Sequence, residues 1–178
     1  MKASDNPTRL KICAHINQVR QFLGYVLTET WKRYTDHDKT KLQEPEFSIF
    51  DKHFAALQSC EYGTPEYLAN LEKVEVATSH HYAHNRHHAE HYSNGINGMT
   101  LVDLAEMLCD WMAATQYGQN GNIQKSIDYN RQRFGISDQL VSILENTACW
   151  LRECTASAHR SAPDSKEGDN AEAPSKAS

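Results

Sequence analysis

The chain has 178 residues, 39% of them hydrophobic, and a formal net charge of -5; its mean hydropathy is -0.69. That length suits one domain with its own core. No apolar run approaches the roughly 20 residues that span a bilayer, and the first residues lack the apolar stretch of a secretory signal. A soluble, cytoplasmic protein with no membrane partner is expected. Charge is uneven: through Lys41 there are eight Lys and Arg against four Asp and Glu, and the remainder carries -9. This argues against bulk nucleic-acid binding and leaves room for a local site for a small anion. The five cysteines are scattered with no C-x-x-C pair, which reads as reduced thiols and excludes a zinc ribbon.

Asn6-Pro7 has the form of a helix cap followed by proline at the first helical position. Ile12, Ile16, Val19, Leu23, Val26 and Leu27 then recur at helical spacing, with Phe22 beside them, so this helix is expected to bury one face. His15 shares the stripe. A polar break, Y-T-D-H-D-K-T-K, precedes a second helix over Glu46 to Leu57 with Phe47, Phe50, Phe54 and Leu57 inward. Thr64-Pro65 restarts the chain as a helix that carries Tyr67, Leu68, Leu71 and Val74 and runs on into a histidine tract.

The tract, S-H-H-Y-A-H-N-R-H-H-A-E-H-Y from Ser79 to Tyr92, holds six of the ten histidines. If it stays helical, all six fall within a band roughly 120° wide. Imidazole is the commonest protein metal ligand, so the band reads either as a polar surface or as part of a metal site.

Beyond the loop Asn94–Gly98, T-L-V-D from Thr100 has the spacing of a capping box, which makes Asp103 a helix-start carboxylate. The helix that follows is apolar almost all round and is expected to be buried. Within it Asp110 needs an ion pair or a metal, because an isolated buried carboxylate is costly. Further helices span about Ile123 to Phe134 and Ser137 through Leu151. With no sustained period-two pattern, the fold class is all-α, an HD-like bundle of about six helices. The domain is expected over residues 1–155. Residues 156–178 carry no large apolar side chain and are expected to be a disordered tail.

His15, the pair His37-Asp38, the tract and Asp110 come in an order that resembles the HD-domain superfamily of metal-dependent phosphohydrolases. H-I-N-Q-V, H-D-K-T-K and L-C-D-W match its three elements over roughly residues 10 to 115. A closer resemblance is to a small uncharacterised HD-like family of bacteria and phages with H-D-x-S-K, H-x-x-x-N-x-H-H and E-M-x-x-D-W. Thr40 replaces its Ser, and Ala89, His91 and Tyr92 stand where its aromatics would follow.

The resemblance implies His15, His37, Asp38 and Asp110 as ligands to one divalent transition metal. A mixed N/O set suits Mn, Fe, Co, Ni or Zn. If the tract is helical, His81 and His88, seven residues apart, share a face and with Asp38 as a bridge would hold a second ion; the spacing leaves open whether His87 or His88 is the ligand. Lys41 would meet a substrate phosphate; His84, one turn from both histidines, would donate a proton or substitute as a ligand, and Asn85 would orient a ligand or touch substrate. The expected activity is hydrolysis of a nucleotide or similar small phosphate ester by metal-activated water. Two alternatives stay open: an HD-type di-iron oxygenase, and a non-catalytic metal-stabilised protein that binds a nucleotide or a partner.

Overall fold

A computed structural model of the chain describes residues 6–60, 63–117 and 121–161. Among these residues there are seven α-helices and no strand: α1 (Pro7–Asp36), α2 (Glu46–Gln58), α3 (Pro65–Glu72), α4 (Glu75–His84), α5 (Leu101–Tyr117), α6 (Ile123–Phe134) and α7 (Asp138–Ser161). No helix among them is long and apolar enough to cross a membrane. The cysteines are free thiols.

Local chemistry sets most of the helix ends. Asn6 accepts from the backbone amides of Thr8 (2.9 Å) and Arg9 (3.3 Å), with Pro7 opening α1. At the start of α5 the Asp103 carboxylate accepts from the Thr100 amide (2.8 Å) and hydroxyl (2.7 Å), and the Thr100 hydroxyl accepts from the Asp103 amide (3.3 Å). This is the capping box read from the sequence. Helix α6 ends on Gly135 at φ 63°, and Ile136 donates back to the Arg131 carbonyl at 3.0 Å. A side chain at that position would be strained, which is why glycine closes the helix.

The hydrophobic core lies where α5, α6 and α7 meet. Leu108, Ile123, Ile127, Ile136, Val141, Leu144 and Ala148 are buried there, with Trp111, Met112 and Phe134 packed around them. Burying each of the larger aliphatic side chains contributes about 1.5–3 kcal/mol. The platform fixes α5, whose opposite side carries Asp103, Glu106 and Asp110. Helix α4 rests on α2 and on the short 3-10 turn Lys39–Leu42.

Several expectations change. Phe47 and Leu68, expected to face inward, are 49% and 47% exposed. No residue of α1 is buried, although its apolar stripe predicted a covered face. Only Gly24, Glu29 and Arg33 are even partly covered, because α1 meets α5 only toward its carboxyl end. Helix α5 is not covered all round: Leu101 is 84% exposed and Cys109 is exposed. The helix from Pro65 does not run unbroken into the tract. Asn70 accepts from both the amide and the ammonium of Lys73, closing α3 before α4 begins. Finally, α7 stays helical to Ser161, past the expected tail boundary; the rest of that segment, like the side chains of Phe54, Leu57 and Leu71, lies outside what is described.

Candidate metal centre

The histidine tract is not one helix. Helix α4 stops at His84, and Asn85 stops it: its backbone amide (2.9 Å) and side-chain amide (2.8 Å) both donate to the His81 carbonyl. The chain then turns back, so that His87 and His88 return over the end of α4. On a continuous helix, residues seven apart sit roughly 10 Å apart along the axis. Here the Nε2 atoms of His81 and His88 lie 2.9 Å apart. The expected helical face is therefore replaced by a helix end and a reversal, which bring the rings much closer.

Two overlapping groups of side chains could hold a metal ion. One is Asp38, His81, His87 and His88; the other is His37, Asp38, His87 and Asp110. In each group one ligand atom per residue lies within 4.8 Å of all the others. Asp38 and His87 belong to both. Nε2 of His81 is 3.2 Å and Nε2 of His87 is 3.5 Å from Asp38 Oδ1, while Nε2 of His37 is 3.4 Å from Asp38 Oδ2 and 3.8 Å from Asp110.

Two glutamates behind the rings set the tautomers. Glu106 Oε1 accepts from Nδ1 of His37 (2.9 Å) and of His87 (3.2 Å). Glu46, fully buried, accepts from Nδ1 of His81 (2.9 Å) and of His80 (2.7 Å). Protons held at Nδ1 leave Nε2 bare and facing inward, the arrangement in which carboxylates support metal-binding histidines. Thr40 donates to Glu46 at 3.0 Å and accepts from the Asn85 amide at 2.8 Å, tying the 3-10 turn to α4. Asp38 itself sits at φ 55°, a left-handed conformation that aspartate tolerates better than most residues.

Two of the inward atoms lack partners. Asp38 Oδ1 and His87 Nε2 are buried without a hydrogen bond. A carboxylate oxygen and bare imidazole nitrogens converging at 3.2–3.5 Å repel one another unless a cation or proton lies between them. The electrostatics agree. Asp110 and Glu106 push His37 up to about 10, and the bonds from His37 and His87 hold Glu106 down at about 2 against its burial. Burial, with His87 and His81 as neighbours, pushes His88 down to about 3. Against burial, His81, Lys41 and His37 hold the Asp38 carboxyl well below the usual range.

Of the residues singled out in the sequence, His37, Asp38, His81, His88 and Asp110 come together here. His15 does not: it is exposed on α1, and 22 residues of unbroken helix and its cap separate it from His37, roughly 33 Å of rise. His87 takes the place that His15 was expected to fill. Lys41 Nζ contacts Asp38 Oδ2 at 2.6 Å. Asn85 is buried with its amide committed to Thr40 and to the His81 carbonyl. His84 is exposed, stacked on His80 at 4.1 Å and donating through Nδ1 to the His80 carbonyl.

Glu46, Glu106 and Arg33 were missed as site residues. Arg33 joins Glu29 (2.8 Å), Asp103 (3.0 Å) and Glu106 (3.1 Å), so the foot of α1 is clamped to the carboxylate side of α5. Glu106 had a readable signal, since it lies one turn before Asp110 on the same helix face. A cleft of about 190 Å³ opens beside the cluster, lined by Lys32, Arg33, His84, Arg86, His87 and Glu106 among others.

The fold and the cluster define an all-α protein with a buried histidine–carboxylate group that could hold a divalent metal. Residues 5–149 match the model of DUF5662, a family of unknown function, and the chain belongs to that family. No curated protein and no solved structure matches the chain.

Proposed function

We propose that the protein is an HD-type metal-dependent phosphohydrolase acting on a nucleotide or related small phosphate ester. The observation that carries this reading is the inward convergence of partnerless Asp38 Oδ1 and His87 Nε2, inside rings whose outer nitrogens are tied to Glu46 and Glu106. His37, Asp38, His87 and Asp110 would hold one ion, and His81 and His88, with Asp38 shared, a second; the one free Nε2 of His87 would serve a single ion. A bound divalent ion supplies Lewis acidity toward a phosphoryl oxygen and a water that deprotonates more easily.

The chain's own groups have separable tasks. Glu106 and Glu46 hold the imidazoles in the ligating tautomer. Lys41, 42% exposed, neutralises Asp38 and is placed to turn toward a substrate anion. His84 keeps its Nε2 free at the cleft edge, where the doubly protonated ring can protonate a leaving group. The cleft is smaller than the roughly 300–1,000 Å³ of a typical ligand pocket, so it takes the phosphoryl end of a substrate and leaves the rest outside. The imidazole-rich group of three histidines and Asp38 also supports a di-iron oxygenase, because iron accepts both ligand types.

The test is a nucleotide and phosphate-ester panel assayed with Mn, Co, Zn and Fe, scored for phosphate release and oxygen uptake. Metal-dependent phosphate release that Asp38→Asn abolishes supports the hydrolase. Oxygen uptake with iron and no phosphate release establishes the oxygenase instead. Tight binding without turnover would make the protein a binding module.

A further inference from the structure

A 30-residue helix with no buried residue is not stable on propensity alone; most helices in proteins are held by packing of an apolar face. On α1, Ile12, Ile16, Val19, Leu23, Val26 and Thr30 follow one another at alternating steps of four and three residues, the spacing of a coiled-coil seam. Ile16 and Val19 are each 41% exposed, Leu23 is 56% and Val26 49%. Phe22 and Leu27 flank the seam at 60% and 70%. With Ile12 these side chains leave on the order of 650 Å² of apolar surface uncovered, above the roughly 300–600 Å² of the largest patch on a typical monomer and near the roughly 800 Å² each partner gives to a standard interface.

We infer that α1 pairs with α1 of a second copy of this chain, antiparallel and centred on residue 21. The seam is symmetric about that point: Ile12 faces Thr30 of the copy, Ile16 faces Val26, and Val19 faces Leu23. Charge selects the direction. Within α1 the first half carries Arg9, Lys11 and Arg20 and no acid, whereas in the second half Glu29 and Asp36 are balanced by Lys32 and Arg33. A parallel pair would set the two basic halves side by side; the antiparallel pair sets each basic half against the other helix's charge-balanced half. It also seats the two helical bodies, each clamped to its own α1 through Arg33, at opposite ends of the seam.

The arrangement gives His15 a role. On the flank of the seam it meets Glu29 of the copy, and Glu29 lines the rim of the cleft beside the metal cluster. The second copy's α1 therefore forms an added wall for a cleft that is shallow in one chain.

Sedimentation at tens of micromolar, with a short-arm amine cross-linker and peptide mapping of mixed isotope-labelled chains, tests the pairing on the full chain. The expected mass is twice the 20.2 kDa of one chain. The expected cross-link joins Lys11 of one chain to Lys32 of the other, which lie roughly 10–15 Å apart across the seam. Within one chain the same two residues are roughly 32 Å apart along the helix, beyond the reagent. Val19→Lys with Leu23→Lys should give a monomer that loses this cross-link and keeps its bound metal. A monomeric wild type, a Lys11–Lys11 cross-link, or a dimer that survives the double substitution would overturn the inference.

Discussion

Replacing Glu106 by Gln separates a metal centre from a merely polar cluster. One carboxylate oxygen of Glu106 accepts from two imidazoles, His37 at 2.9 Å and His87 at 3.2 Å, and the other accepts from Arg33 at 3.1 Å. A glutamine offers one accepting oxygen and one donating amide, so it can serve the two rings or the guanidinium but not both. At least one ring loses its fixed tautomer, and His87 belongs to both ligand groups. Loss of such a supporting carboxylate typically weakens metal binding 10–100-fold, or about 1.4–2.7 kcal/mol. The shape is conserved, so helix content should stay at the wild-type level. Competition against a chromophoric chelator, with Co or Zn, reads the affinity, and circular dichroism checks the fold. An affinity within twofold of wild type would refute the claim that Glu106 prepares ligands.

Asp103 tests the clamp between α1 and α5. It is fully buried and accepts from Thr100, Tyr92, Arg86 and Arg33, and these bonds outweigh burial to hold its carboxyl below the usual carboxylate value. Its stabilising contribution is therefore present above pH about 4 and is lost as pH falls toward the folded-state value. Asp103→Asn should lower stability at pH 7 by about 1–3 kcal/mol and flatten the acid limb of a urea-melt series; an unchanged acid limb would contradict this. Ile127→Ala, at a fully buried core position, should cost about 2–5 kcal/mol in the same melts while leaving metal content unchanged. His15→Ala should also leave bound metal unchanged, whereas His81→Ala should reduce it, both read by elemental analysis. Loss of metal in the His15 variant would restore the ligand set expected from the sequence.

Helix class and most helix ends were readable because they rest on local chemistry: Asn6-Pro7, Thr64-Pro65, the Thr100–Asp103 box and the Ser137 start each declare themselves within four residues. The stripe on α1 was read correctly as apolar and wrongly as covered, since periodicity reports a face that needs burial and not what buries it. The histidine tract misled in a similar way. Its spacing fits a helix, but Asn85 takes an extended backbone and sets its side-chain amide on the His81 carbonyl, where the helix ends and the chain turns His87 and His88 inward. Glu46 carried no signal, because a glutamate at a helix start ordinarily faces water as a favourable partner for the helix dipole. Its burial depends on contacts with Thr40 and with His80 and His81, some 34 residues on.

The most direct measurement is the metal content of the purified full-length chain beside that of Asp38→Asn, a substitution that suits the same left-handed backbone but removes the shared charge. The wild type should retain one or two equivalents of a divalent transition metal per chain, and the variant, equally helical, should retain fewer. A wild type that binds no transition metal after incubation and desalting, or a variant that binds as much as the wild type, would contradict a centre built on Asp38.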